Sequence, residues 1–292
     1  TFASALRPTV DPPGRRGAAD MHVGLAGIAI ERHDPDEAER QLRAAADLGD
    51  HMGLPQHPYR RRVAEARLAR ARGDLHGALR LIVEAEAVYL TDFSPSVRPV
   101  SAMRALQQVE LGDVAAGERW AAEQQLDADD ELTYLREFEH LALARVLVAR
   151  GVSHGDRALI DRAVDLMRRL LAAADEGRRE GTAMEILVQL SAALRAAGDE
   201  PGAAAALDDA QGRAELEGYA RVFLDAGSPV PAPAASAAAP RSRPVGPDEL
   251  SERELDVLRL LRSDLSGPDL ARELIVSLNT FRTHTKHIYT KL

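Results

Sequence analysis

Apolar residues recur at intervals of three and four along most of the chain, from about residue 18 to residue 217. One such stripe contains Leu141, Ala144 and Val148, and Arg145 marks its edge. This spacing gathers apolar side chains on one face of an α-helix. Ala, Leu, Glu and Arg dominate the same stretch and favour helices. The pattern therefore predicts a long series of amphipathic helices.

The turns between these predicted helices share one design, in which a glycine commonly precedes an aspartate. Glycine can end a helix in the left-handed conformation, and aspartate can cap the start of the next helix. These aspartates recur about every forty residues, at Asp34, Asp74, Asp113, Asp156 and Asp199. Two interpretations fit this period. The regular spacing favours stacked helical hairpins of the tetratricopeptide type, and the other interpretation is a helical bundle with ordinary turns.

The composition also favours an all-α fold. Hydrophobic residues make up 45% of the chain but aromatic residues only 4%, so the core must be built from Ala, Leu and Val. The absence of cysteine excludes disulfides, thiolate metal sites and cysteine nucleophiles. No apolar run approaches the ~20 residues of a membrane helix, and no signal peptide is visible. We therefore expect a cytoplasmic protein with no membrane partner.

Charge is distributed unevenly along the chain. Residues 251–292 carry seven basic and six acidic side chains, whereas residues 1–250 carry 30 basic and 40 acidic ones. The acidic part would repel nucleic acid, so we expect any DNA contact near the C-terminal end. The two lysines, Lys286 and Lys291, both lie there, which excludes a P-loop. With no catalytic motif in sight, we predict no enzyme activity and no cofactor in this chain.

A stretch rich in Pro, Ala and Ser interrupts the helical pattern near the C-terminal end. Its composition cannot sustain a helix and offers nothing to bury, so it indicates a flexible linker. The predicted organisation is an irregular segment, a helical-repeat sensor domain, this linker and a small terminal domain, at residues 1–17, 18–227, 228–247 and 248–292.

The terminal domain has the signals of three short helices. Ser251 and Glu254 form a capping box, S-x-x-E, at the start of the first helix. Ser266 and Ser277 can cap the second and third helices. Two short helices joined by such a tight turn predict a helix-turn-helix, whose second helix enters the major groove of DNA.

The third of these helices carries basic and hydroxyl side chains and no acid. Its apolar stripe includes Phe281 and Ile288, and the opposite side presents Arg282, Thr283 and Lys286. Arginine or lysine can bond guanine edges, and a threonine methyl can touch thymine. Polar groups at the capped N-terminus of the helix can bond phosphate oxygens.

These residues resemble the LuxR-type helix-turn-helix signature over about 43 residues. The resemblance rests on residues 250–258, Leu265-Ser266, Leu270-Ala271, residues 276–280 and Arg282-Thr283-His284. It implies that Arg282, Thr283 and Lys286 read bases. It also implies that backbone contacts come from the N-terminus capped by Ser277 and from Asn279, Thr280, His284 and Lys291.

The chain departs from that family pattern in two places. Phe281 stands where the family usually has a bulky aliphatic residue. The family also has a fourth helix that typically supports dimerisation, so we expect the domain to be truncated after Leu292. By the resemblance, the full-length protein is expected to bind DNA as a homodimer.

The preceding region resembles the helical-repeat sensor region of large MalT-type regulators. The similar segments are Gly73-Asp74, Ala85-Glu86, Arg98-Pro99, residues 134–138 and residues 217–223. The resemblance implies that an ATPase of the STAND class lies upstream, and that this chain is a fragment beginning inside the repeats.

Other residues offer weaker candidate sites. Glu137 and His140 have the spacing of a metal-binding pair, but a second such motif is missing, so we favour a solvated Glu and a packed His. His284 and His287 share that spacing, where metal would compete with DNA.

Two further candidates concern ligand binding. The cluster at residues 60–62, three successive arginines, is expected to be a solvated helix start, with phosphate binding as the alternative. Trp120 and Tyr134 are expected to pack between helices, with an inducer site as the alternative.

Two hypotheses for function follow. The first is a sequence-specific transcription regulator, in which the helical array senses a small-molecule or protein inducer and the terminal domain binds double-stranded promoter DNA. The second is a protein-interaction scaffold whose truncated terminal domain does not bind DNA.

Overall fold

The computed structural model describes residues 17–50, 53–90, 96–214 and 220–226. Within these ranges the protein is all-α, with no strand, and the predicted fold class is confirmed. The predicted linker and the helix-turn-helix domain lie outside the described residues, and their boundaries stay predictions. None of the described helices is long and apolar enough to cross a membrane.

The described helices form five successive hairpins followed by a short helix. The hairpins are α1–α2, α3–α4, α5–α6, α7–α8 and α9–α10, and a 3₁₀ turn, Tyr134–Arg136, precedes α7. The helix bounds are α1 Ala18–Glu31, α2 Pro35–Leu48, α3 His57–Ala71, α4 Leu75–Ala87, α5 Val100–Glu110, α6 Val114–Glu123, α7 Glu137–His154, α8 Arg157–Glu176, α9 Glu180–Ala196, α10 Glu200–Ala214 and α11 Arg221–Asp225.

The predicted turn design is confirmed at the tip of every one of these hairpins. In each case the aspartate side chain accepts a hydrogen bond from a backbone N–H in the first turn of the second helix; Asp74 accepts from Gly77 at 2.8 Å, for example. The N–H of the same aspartate donates to a carbonyl five residues earlier, as in Asp74 to Ala69 at 2.9 Å. One residue therefore closes one helix and opens the next.

The residue before each aspartate has the left-handed conformation. Glycine occupies this position in four hairpins, for example Gly73 with φ 82° and Gly112 with φ 94°. In the first hairpin the position is held by His33, with φ 58°. A side chain at such a φ costs free energy that glycine avoids. The turn forms despite this because Asp34 still caps α2.

Successive hairpins stack through small side chains. The larger core cluster runs from α5 to α11 and includes many alanines together with Trp120, Leu170 and Phe223. A separate cluster joins α1, α2 and α3 around Ile30 and Leu42. Alanine allows helices to approach closely, which is why a chain with few aromatic residues can still bury well-packed cores. The stacking brings the first helix of each hairpin to one common side.

Candidate functional site

A cavity of about 580 Å³ lies on this common side of the array. Its lining comes from the first helices of all five hairpins, with further residues from α4, α11 and the segment before α5. Apolar side chains form much of the wall, among them Ile30, Val63, Ile82, Met103, Phe138 and Met184. A concave, partly apolar space of this size is typical of a small-molecule site.

Ion pairs cross this cavity between helices that are distant in sequence. Arg70 of α3 pairs with Glu110 of α5 at 2.7 Å and also with Asp225 of α11. Arg98 pairs with Glu185 of α9, and the guanidinium of Arg98 lies 4.6 Å from the ring centre of Phe138. The helices that line the cavity are therefore joined by ion pairs as well as by apolar contacts.

The surroundings shift the pKa values of these arginines in different directions. Burial opposes the charge of Arg70, but the carboxylates of Glu110 and Asp225 outweigh it and raise the pKa of Arg70. The carboxylate of Glu185 raises the pKa of Arg98. Burial first, and the charge of Arg70 second, lower the pKa of Arg145. The more distant carboxylates of Glu185, Glu110 and Asp225 act in the opposite direction but do not outweigh these two effects.

The short helix α11 closes one side of the cavity. Phe223 is fully buried in the larger core cluster, and the N–H of Ala220 donates to the carbonyl of Glu31 in α1 at 2.9 Å. Arg221 donates to the carbonyl of Ala71 at 3.2 Å. These contacts tie the end of the described array to its first two hairpins. Residue 227 and the predicted linker follow directly in sequence.

The predicted DNA-contacting residues cannot be placed in this geometry. The predicted base readers and backbone contacts lie outside the described residues and stay predictions: Arg282, Thr283 and Lys286, and Ser277, Asn279, Thr280, His284 and Lys291. The pair His284 and His287 also lies outside them.

The structure corrects one half of the expectation for Glu137 and His140. His140 is packed, being 1% exposed, and its Nε2 lies 3.2 Å from Asp130. Glu137 is not solvated as expected but is 8% exposed, because it pairs with Arg179. Among the described residues no group of three or more His, Asp or Glu side chains could hold a metal ion.

The arginine cluster at residues 60–62 is engaged at every position. Arg60 pairs with Asp20 at 2.6 Å, Arg61 with Glu65 at 2.7 Å, and Arg62 approaches Glu84 at 3.8 Å. Three nearby carboxylates disfavour the phosphate interpretation, because a phosphate would have to displace them.

The expectation of inter-helix packing is confirmed for Trp120 and wrong for Tyr134. Trp120 is 4% exposed and belongs to the larger core cluster. Tyr134 is 57% exposed, and the guanidinium of Arg179 lies 5.5 Å from its ring centre. Neither residue lines the large cavity.

The sequence pattern did not identify the cavity residues as a group. Its one signal was Arg145, a charge at the edge of the apolar stripe of α7. The paired charges of the cavity look like ordinary surface charges in the sequence, because their partners lie on other hairpins: Arg70, Arg98, Glu110 and Glu185.

A stack of helical hairpins around an inner cavity defines the class, a tetratricopeptide-type repeat protein. Residues 1–232 match the family described as MalT-like TPR region. This match covers more than half of the chain, and the chain therefore belongs to that family. Residues 248–292 match the family described as bacterial regulatory proteins, luxR family. Both predicted resemblances are confirmed.

Similar proteins are found in mycobacteria. A 53-residue segment is 45% identical to proteins of Mycobacterium bovis and Mycobacterium tuberculosis that are named as HTH-type transcriptional regulators. This segment covers 18% of this chain and 6% of each relative, so the match spans a small part of the relatives' length.

One solved structure of low similarity is also found. It is a Podosopora anserina protein named as a kinesin light chain with nearly identical TPR-like repeats. The two sequences are 19% identical. The alignment covers 68% of this chain and 95% of the solved chain, with a TM-score of 0.39.

Proposed function

We propose that the protein is a sequence-specific DNA-binding transcription regulator that acts by binding and not by catalysis. The match of residues 248–292 to the luxR family of bacterial regulatory proteins carries this proposal. In it, Arg282, Thr283 and Lys286 read base edges in the major groove. The predicted third helix contains no acidic residue and supports this assignment, since such a sequence is suited to approach phosphates while the acidic repeat region is not.

A selection from randomised DNA duplexes tests this proposal. The protein is expected to enrich one motif, and binding to that motif is expected to weaken steeply as salt rises. A motif made of two symmetric half-sites would indicate binding as a homodimer. Failure to enrich any motif would contradict sequence-specific binding and favour the scaffold hypothesis.

Substitutions in the predicted third helix test the residue assignment. Arg282→Ala is expected to cost about 1–3 kcal/mol on the selected motif and to relax preference at one position. Lys291→Ala is expected to weaken all duplexes alike. Arg168→Ala, an exposed arginine of the repeat region, is the matched control and should change neither. Unchanged affinity and preference in Arg282→Ala would show that the base-reading assignment is wrong.

We further propose that the cavity of the repeat region is where a small-molecule inducer acts. The support is geometric: α11 borders the cavity, pairs with Arg70 through Asp225, and lies directly before the predicted linker in sequence. A ligand that shifts α11 would thereby change the segment leading to the DNA-binding domain. Coupling of this kind typically changes affinity by about 5–150-fold.

Undocking α11 without a ligand tests the coupling. Asp225→Ala removes the ion pairs with Arg70 and Arg221 and is expected to change affinity for the selected duplex at least about fivefold. Asp209→Ala, which removes an outer-surface pair with Arg213, is the control. Equal DNA affinity in both variants would contradict coupling through α11 while leaving DNA binding itself intact.

A further inference from the structure

The charges that line the cavity do not balance. Five arginines face four carboxylates there: Arg67, Arg70, Arg98, Arg145 and Arg221 against Glu31, Glu110, Glu185 and Asp225. Each of these carboxylates already has an arginine partner. Among the residues that the structure describes, Arg145 forms no hydrogen bond or ion pair. The cavity therefore carries one surplus guanidinium.

The position of Arg145 makes this surplus costly. It lies in α7 between the buried residues Ala144 and Val146, and it lines the cavity. Burial and the charge of Arg70 lower its pKa, and the carboxylates of Glu185, Glu110 and Asp225, none of which forms an ion pair with it, offset this only in part. A hydrocarbon side chain at the same position would avoid these penalties, because an unpaired charge away from bulk water is unfavourable. An anion that enters the cavity would remove them.

We propose that the cavity binds a small organic anion, whose carboxylate or phosphate group pairs with Arg145 and whose hydrocarbon body lies against the apolar wall. The guanidinium offers a planar fork of donors that matches a carboxylate or phosphate. Ile82, Met103 and Phe138 supply apolar surface beside it. This inference rests on the proposed role of the cavity as the inducer site, and it adds the chemical class of the ligand.

The same geometry gives the anion a route to α11. Arg70 is the cavity arginine whose charge acts on Arg145, and it is also the partner of Asp225. An anion bound near both guanidinium groups competes with the Asp225 carboxylate for Arg70. Occupation of the cavity would then weaken the contact that holds α11.

Calorimetric titration with matched probes tests the ligand class in the absence of DNA. The probes are heptanoate, hexyl phosphate and the uncharged heptanamide, with inorganic phosphate to separate the bare anion from an organic one. We expect the organic anions to bind the protein at least about tenfold more tightly than heptanamide. Arg145→Met should lose this preference, and Arg145→Lys should retain part of it. Equal binding of heptanoate and heptanamide, or unchanged anion binding in Arg145→Met, would overturn the proposal.

Thermal unfolding without any ligand gives a second, independent test. If Arg145 serves ligand binding and destabilises the fold, Arg145→Met should raise the melting temperature by roughly 2–4 °C. Arg98→Met, which breaks the pair with Glu185, should lower the melting temperature. A lower melting temperature in Arg145→Met would mean that Arg145 stabilises the fold, and the proposal would fall.

The readouts separate this inference from the proposed function. If anion binding depends on Arg145 but does not change DNA affinity, the anion site stands and the inducer role is wrong. If Asp225→Ala changes DNA affinity but Arg145→Met leaves anion binding unchanged, the proposed regulator function stands and the anion site is wrong.

Discussion

The hairpin turns and the inner cavity satisfy their polar groups in opposite ways. In a turn, each aspartate finds its partners within five residues; Asp113, for example, bonds the N–H of Ala116 and the carbonyl of Gln108. In the cavity, Arg70 reaches Glu110 and Asp225 on two other helices. Locally satisfied groups contribute small, separate increments of stability. Groups that depend on several helices act together, and one of them, Arg145, is left over.

The largest effect is expected where a cavity charge loses its partner. Arg70→Met leaves Glu110 without its arginine partner in a partly enclosed space, while Asp225 keeps Arg221, and it should lower the free energy of unfolding by about 3 kcal/mol. Urea denaturation followed by circular dichroism measures this. Arg72→Met, which breaks an outer pair with Glu39, is the control and should cost below about 1 kcal/mol. If both variants lost the same free energy of unfolding, the cavity and outer-surface ion pairs would not differ in the way proposed.

A turn should respond more weakly and only locally. Asp113→Ala removes the cap of α6 and should cost about 1 kcal/mol of unfolding free energy, whereas Asp113→Asn keeps an accepting oxygen and should cost a few tenths. Both values come from the same denaturation experiment. A cost above about 3 kcal/mol for Asp113→Ala would show that the turns are not independent units.

The first turn offers a gain in stability. His33 is exposed and holds the left-handed position that glycine holds in the other turns, so His33→Gly should raise the free energy of unfolding by about 0.5–1 kcal/mol. His33→Ala is the matched control, since it shortens the side chain without relieving the backbone. If Ala stabilised as much as Gly, the left-handed conformation would not be the cause.

The smallest effect is expected on the outer surface between hairpins. Arg213 contacts Asp175, Glu180 and Asp209, and its pairs with Asp175 and Asp209 raise its pKa. Arg213→Ala should cost about 0.5 kcal/mol, because pairs near bulk solvent are worth little. The cost should fall further in 1 M NaCl, where screening shortens electrostatic reach to about 3 Å. A larger cost that salt does not reduce would place Arg213 with the cavity arginines instead.

Local chemistry made much of the fold predictable. The helices follow from apolar spacing, and the five turns follow from an aspartate whose two hydrogen-bonding roles are both satisfied nearby. The replacement of glycine by His33 did not hide the first turn, because Asp34 and Pro35 still mark the start of α2. For residues 248–292 the sequence predicts a domain from the caps and apolar stripe of a short motif, and the luxR family match agrees with that domain.

Partners far apart in sequence were not predictable. Glu137 was expected to be solvated, yet it is buried because Arg179 reaches it from beyond α8. Tyr134 was expected to pack between helices, yet the 3₁₀ turn leaves it exposed. Periodicity reports which face of a helix is apolar, and it cannot report which charge from another hairpin meets that face.

The sequence by itself determined the all-α class, the hairpin turns and the LuxR-type terminal domain, because each depends on interactions within a few residues or on a compact motif. Only the tertiary structure decided where the hairpins converge, which carboxylates pair with which arginines, and that α11 closes the cavity. Arg145 shows the division: the sequence marks it as a charge at the edge of an apolar stripe. The packing of five hairpins leaves it as the cavity arginine that forms no ion pair among the described residues.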